Sequence, residues 1–162
     1  TPDPKYSIGY RHEYFRESST NADFVQLNYL VKRWNAPQSQ ANFYIKSGAG
    51  VGYDDGEVSP AAFAGIATDW EDRRYFIAYE NRFLYAGDQE KFINHKARIG
   101  IAPYVAGFGE LHTWLMVEAD YDAGDADRFS VTPLVRFFKG PALLEAGYNL
   151  DDGVLFNFVY RF

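Results

Sequence analysis

The feature that most restricts this chain is a two-residue alternation of apolar and polar side chains, broken at regular intervals by turn residues. A strand points successive side chains to opposite faces, whereas a helix repeats every 3.6 residues, so sustained period 2 selects strands. The alternation is plainest at the end of the sequence. There Phe156, Phe158, Tyr160 and Phe162 interleave with Leu155, Asn157, Val159 and Arg161. One face of that strand is wholly aromatic and the other is mixed and charged. On a soluble sheet edge such a ladder invites aggregation. Against lipid it has a use.

The same rhythm predicts ten strands, over residues 5–16, 23–34, 42–51, 60–70, 74–85, 92–102, 111–121, 129–137, 142–150 and 154–162. Polar or glycine-containing stretches such as Tyr53-Asp54-Asp55-Gly56-Glu57 and Asp151-Asp152-Gly153 separate them. The fourth segment has the weakest phase; Ala62, Ala64, Ile66, Thr68 and Trp70 fit one face, and Phe63 then falls on the other. Pro133 has no N–H for a ladder, which predicts a bulge or a local break in the eighth strand. A miscount at the 60–70 segment or at Pro133 would leave eight strands. No run approaches the 18 apolar residues of a transmembrane helix, while about ten residues match a tilted transmembrane strand. The fold expected is therefore all-β, one domain over 1–162. It is an antiparallel up-and-down transmembrane β-barrel of ten strands, eight as the alternative, with short loops.

The two predicted faces differ in charge. The outward set, including Tyr79, Ile99 and Val117, is apolar and aromatic. The inward set carries Arg11, Glu13, Lys32, Lys46, Arg74, Glu80, Arg82, Lys96, Arg98, Glu118, Asp120, Arg136, Glu145 and Arg161. A soluble lipid-binding barrel would be apolar inside and charged outside, so the asymmetry argues for a membrane. About ten strands leave a narrow interior, with Gly9, Gly48, Gly50, Gly100 and Gly147 making room for long side chains. Buried charges must pair. The inward set is thus expected to plug the barrel with ion pairs, or to line a narrow polar path. Nine of the fourteen charges are basic, so such a path would favour anions.

With terminal Phe162 preceded at alternate positions by Tyr160 and Phe158, the last strand resembles the C-terminal targeting strand of Gram-negative outer-membrane β-barrel proteins. The resemblance implies localisation in the outer membrane with both termini periplasmic, and recognition of Phe158, Tyr160 and Phe162 by the barrel-assembly machinery. It also implies contact with outer-membrane lipid and lipopolysaccharide. The odd-numbered turns would then face outside. They hold Glu17, Asp54, Asp55, Glu57, Asp88, Glu90, Asp122, Asp125, Asp127, Asp151 and Asp152, whereas the opposite turns are neutral or mixed. A barrel needs an export signal; none opens the sequence at Thr1, so the chain reads as a mature or trimmed form.

Function is less constrained. Net charge −6 argues against nucleic acid. The absence of Cys excludes disulfides and thiolate metal sites. Asp122, Asp125 and Asp127 lack the loop length and closing Glu of a calcium loop; they read as solvated turns, or as a weak divalent site shared with lipopolysaccharide phosphates. No metal or cofactor is expected. His12, His95 and His112 lie far apart, the first two outward near the extracellular ends and the third inward near the periplasmic end. Lipid A deacylases of the outer membrane use an outward His with a Ser at the same height, and no His-Ser-Glu set is found here. The function expected is a structural barrel or small passive, porin-like pore for ion transport, the membrane part of a larger envelope assembly being a further expectation. An outer-leaflet lipid-modifying enzyme and a soluble small-ligand barrel are the alternatives.

Overall fold

In a computed structural model the chain forms ten antiparallel strands in one sheet, and the residues described are 5–15, 20–54, 56–87, 90–124, 128–149 and 153–160. The strands are β1 (Tyr6–Phe15), β2 (Thr20–Asn35), β3 (Ser39–Asp54), β4 (Glu57–Asp72) and β5 (Tyr75–Ala86). They continue as β6 (Glu90–Ile101), β7 (His112–Ala123), β8 (Arg128–Lys139), β9 (Ala142–Asn149) and β10 (Gly153–Tyr160). Each strand pairs with its neighbours in sequence, in the order β1 to β10. The eight-strand alternative is thereby removed. The sheet curls into a half-barrel, and among the described residues no ladder joins β1 to β10.

β2, β3 and β4 each run 16 residues, longer than the alternation alone predicts. The turns between them are tight, so residues counted as loop are drawn into the ladders, which pair from Ser39↔Asp72 to Asp54↔Glu57. Gly56, at φ 91°, makes that last turn possible, because a left-handed backbone costs glycine no Cβ clash. The doubtful fourth segment is a full strand with the expected phase. Ala61, Phe63 and Ala67 are buried on the concave face, and Ala62, Ala64, Ile66, Thr68 and Trp70 are exposed on the convex one.

Pro133 causes no bulge against β7, where it pairs with Val117 in an unbroken register. Its missing N–H is felt on the other side, since the β8–β9 ladder stops at Leu134↔Gly147. Among the described residues the register is irregular in β2, where its pairing to β3 shifts between Leu30 and Lys32. One extra residue, Val31, turns the following side chains over.

The concave face is layered. Near the end opposite the termini, Ala22, Phe24, Ala61, Phe63, Leu84 and Ala86 form a buried apolar cluster, with Phe92 packed against it. The Phe24 and Phe63 rings meet edge to face at 5.2 Å, and Phe63 lies over Gly48, where a Cβ would come within 2.3 Å of the ring. Near the terminus-bearing end Phe76, Ala102, Trp114, Met116 and Leu134 form a second cluster. Charged residues fill the level between.

Candidate functional site

The middle of the concave face is a chain of ion pairs, three of which join strands that are not neighbours. On one side Arg82 of β5 donates to Glu13 of β1 at 2.5 Å, and Arg11 donates to the same oxygen at 2.5 Å. Both guanidinia lie over the Phe63 ring, at 5.7 Å for Arg11 and 5.5 Å for Arg82. Lys46 of β3 pairs with Glu80 of β5. The other oxygen of Glu13 and the Nε of Arg82 are buried without a hydrogen-bond partner.

On the other side Glu145 of β9 is the hub. Its Oε1 accepts from Arg98 and Arg136, both at 2.7 Å, and its Oε2 from Asn157 of β10 at 3.0 Å. Arg98 Nε also donates to Glu118 at 2.8 Å. Lys96 bridges Glu118 at 3.4 Å and Asp120 at 3.0 Å, and Asn94 donates to both Asp120 and Asp122. Four strands are tied through Glu145, which is 4% exposed, and Glu118 is 2% exposed. Carboxylates at this depth are tolerated because each faces guanidinium or ammonium donors. Arg136 also stacks over Phe76 at 4.9 Å, capping the lower apolar cluster.

Of the inward residues expected from the sequence, Arg11, Glu13, Lys46, Glu80, Arg82, Lys96, Arg98, Glu118, Asp120, Arg136 and Glu145 are brought together here. Lys32 is not. The bulge at Val31 pairs it with Phe43 on the convex face, where its Nζ lies 5.0 Å from the Trp34 ring. Arg33 takes the inward place, donating to Asn42 at 2.8 Å, and Asn42 donates to Asp69 at 2.7 Å. Arg74 is exposed in the β4–β5 turn. Arg33 replaces Lys32, Arg74 leaves the interior and Asp69 joins it, so the expected basic excess shrinks. Arg161 and Phe162 lie outside the described residues, as do Glu17, Asp55, Asp88, Asp125, Asp127, Asp151 and Asp152. Phe156 and Phe158 stand exposed on the convex side of β10, and Tyr160 ends that strand opposite Ala142.

The convex face carries one constellation that sequence reasoning missed. Asp23 of β2 lies in phase with Val25 and Leu27, on the outer wall. Its Oδ1 accepts from Tyr10 and contacts His12 Nδ1 at 2.8 Å, and its Oδ2 accepts from Tyr53 at 3.0 Å. The signal was present: Asp23 has the parity of the outward residues, and His12 and Tyr10 share it one strand away. His95 sits in a second polar group on this face. Its Nδ1 is 2.8 Å from the Tyr79 hydroxyl and 3.2 Å from Asn81 Nδ2, and its ring lies between those of Tyr79 and Tyr121. His112 has the inward phase and stacks on Phe138 at 4.4 Å. Comparison with family models, with curated proteins and with solved structures returns no match.

Proposed function

We propose that the chain is an outer-membrane β-barrel whose interior is closed by its own side chains. It serves as a structural membrane element, the lipid-embedded part of an envelope assembly, rather than as an open pore. The observation that carries this is the ion-pair network strung between two apolar clusters on the concave face. A conducting path needs hydrated charges, and these are spent on one another. The convex face supports the membrane placement: Ile8, Val25, Ile77, Ile99, Phe129 and Phe156 are all more than half exposed there, an arrangement that is costly in water. The test is reconstitution into planar bilayers. Insertion without steady single-channel current is expected. Steady anion-selective current, reduced when Arg82 and Arg98 are neutralised, would replace this reading with a passive pore.

The Asp23–His12 pair favours a second reading, a lipid-modifying enzyme of the outer leaflet. A carboxylate that orients an imidazole on a lipid-facing wall is the pairing a general base needs. Mass analysis of lipid A from cells expressing the chain or His12→Ala decides it: an acyl chain lost or gained only with His12 present establishes the enzyme.

A further inference from the structure

We infer that the outer wall near the terminus-bearing end holds a binding site for one anionic glycerophospholipid, its acyl chain in a groove and its phosphate on Arg73 and Arg74. This rests on the membrane reading above and names a ligand for it.

The groove has a volume of about 590 Å³ and crosses β5, β6 and β7, within the ~300–1,000 Å³ usual for small-molecule sites. One wall is the cross-strand row Ile77, Ile99 and Val117, and the other is built by Ile101 and Leu115, one pleat away. Most of these side chains are β-branched and stiff at χ1, so the walls keep their shape without a lipid to hold them. An acyl chain entering such a groove orders little of the protein.

Charge stands at the groove's end. Trp70 and Tyr75 line it, and they bracket the β4–β5 turn that carries Arg73 and Arg74, both exposed. The carboxylate that opens the turn caps its backbone: Asp72 Oδ1 accepts the amide N–H of Arg74 and of Tyr75, each at 2.6 Å. Glu71 points to the concave side, opposite Phe76. Among the described residues no ion pair uses either guanidinium. The next loop at this end presents Phe108 fully exposed, and its acid, Glu110, is turned onto the Gly107 amide at 2.7 Å. Lys5, Lys32 and Lys139 are further exposed cations at this end. An apolar trough next to a turn with two exposed arginines that make no ion pair among the described residues has the polarity of a phospholipid, and a guanidinium matches phosphate in a forked geometry. A trough for a neutral lipid would not need the arginines.

The test uses the whole chain in mild detergent, titrated with 1-palmitoyl-2-oleoyl phosphatidylglycerol and read by native mass spectrometry. One phospholipid per chain is expected. The double variant Arg73→Ala and Arg74→Ala should bind about tenfold more weakly or worse, as expected for losing charge-assisted hydrogen bonds. Lys at both positions should restore part of the binding. Ile99→Trp, which fills the groove and leaves the arginines intact, should weaken binding by a similar factor. Diacylglycerol with the same chains should bind less than phosphatidylglycerol and be indifferent to the arginine changes. Equal occupancy in the wild type and the double variant, or diacylglycerol binding as well as phosphatidylglycerol, overturns the site and leaves the membrane reading standing. A chain that stays monodisperse without detergent and fails to enter vesicles overturns the membrane reading, and the site with it.

Discussion

Arg82→Ala separates a closed interior from a hydrated one. Arg82 is 7% exposed, contacts Glu13 at 2.5 Å and covers the Phe63 ring. Breaking a buried pair by removing one partner costs about 3–5 kcal/mol, because the other charge stays buried. Here Arg11 remains on Glu13, which places the electrostatic loss near the lower end. The lost cation–π contact adds about 0.5–2 kcal/mol. A destabilisation of about 3.5–5 kcal/mol is therefore expected. The measurement is urea unfolding of the protein in lipid vesicles, compared with Glu13→Gln and with the Arg82→Met, Glu13→Gln pair. The double variant should be more stable than Arg82→Ala, since no carboxylate is left stranded beside the Phe63 ring. A loss under about 1 kcal/mol for Arg82→Ala, accompanied by a changed anion current, would refute the argument: water, not Glu13, would be satisfying the guanidinium.

Three further outcomes follow from the same geometry. Ile66→Arg, midway along β4 on the convex wall, should cost about 2–4 kcal/mol and Val58→Arg, at the end of the same strand, about 0–1 kcal/mol; equal small effects in vesicle unfolding would mean that this face does not meet lipid. Deleting Phe162, or replacing Phe158, Tyr160 and Phe162 together, should lower outer-membrane levels on fractionation, and normal assembly of the triple variant would remove the targeting role. Gly50→Ala should destabilise by about 1–3 kcal/mol in the same unfolding assay, because its Cβ would lie 1.7 Å from the carbonyl oxygen of Asp23, a backbone atom with no rotamer to yield.

The alternation by itself determined the strands and, for most positions, their faces, while the ladders decided that the strands are ten and not eight. Side-chain direction in a strand depends only on parity, and parity is a local property of the sequence. The segment around Phe63 was readable for that reason despite its weak pattern. Lys32 shows where parity fails. A single extra residue at Val31 reverses every later side chain of β2, and nothing in Leu30-Val31-Lys32-Arg33 announces it, because a bulge is a mismatch between two strands. The partners inside were equally out of reach. Arg82 and Glu13 are 69 residues apart on strands that share no ladder, and they meet only because the sheet curls. Asp23 belongs to the same class: its parity marked it as outward, but only the register of β1, β2 and β3 gathers Tyr10, His12 and Tyr53 around one carboxylate. Curl and register are set by contacts across the whole sheet, and so the tertiary structure alone decided which charges found each other and which were left facing out.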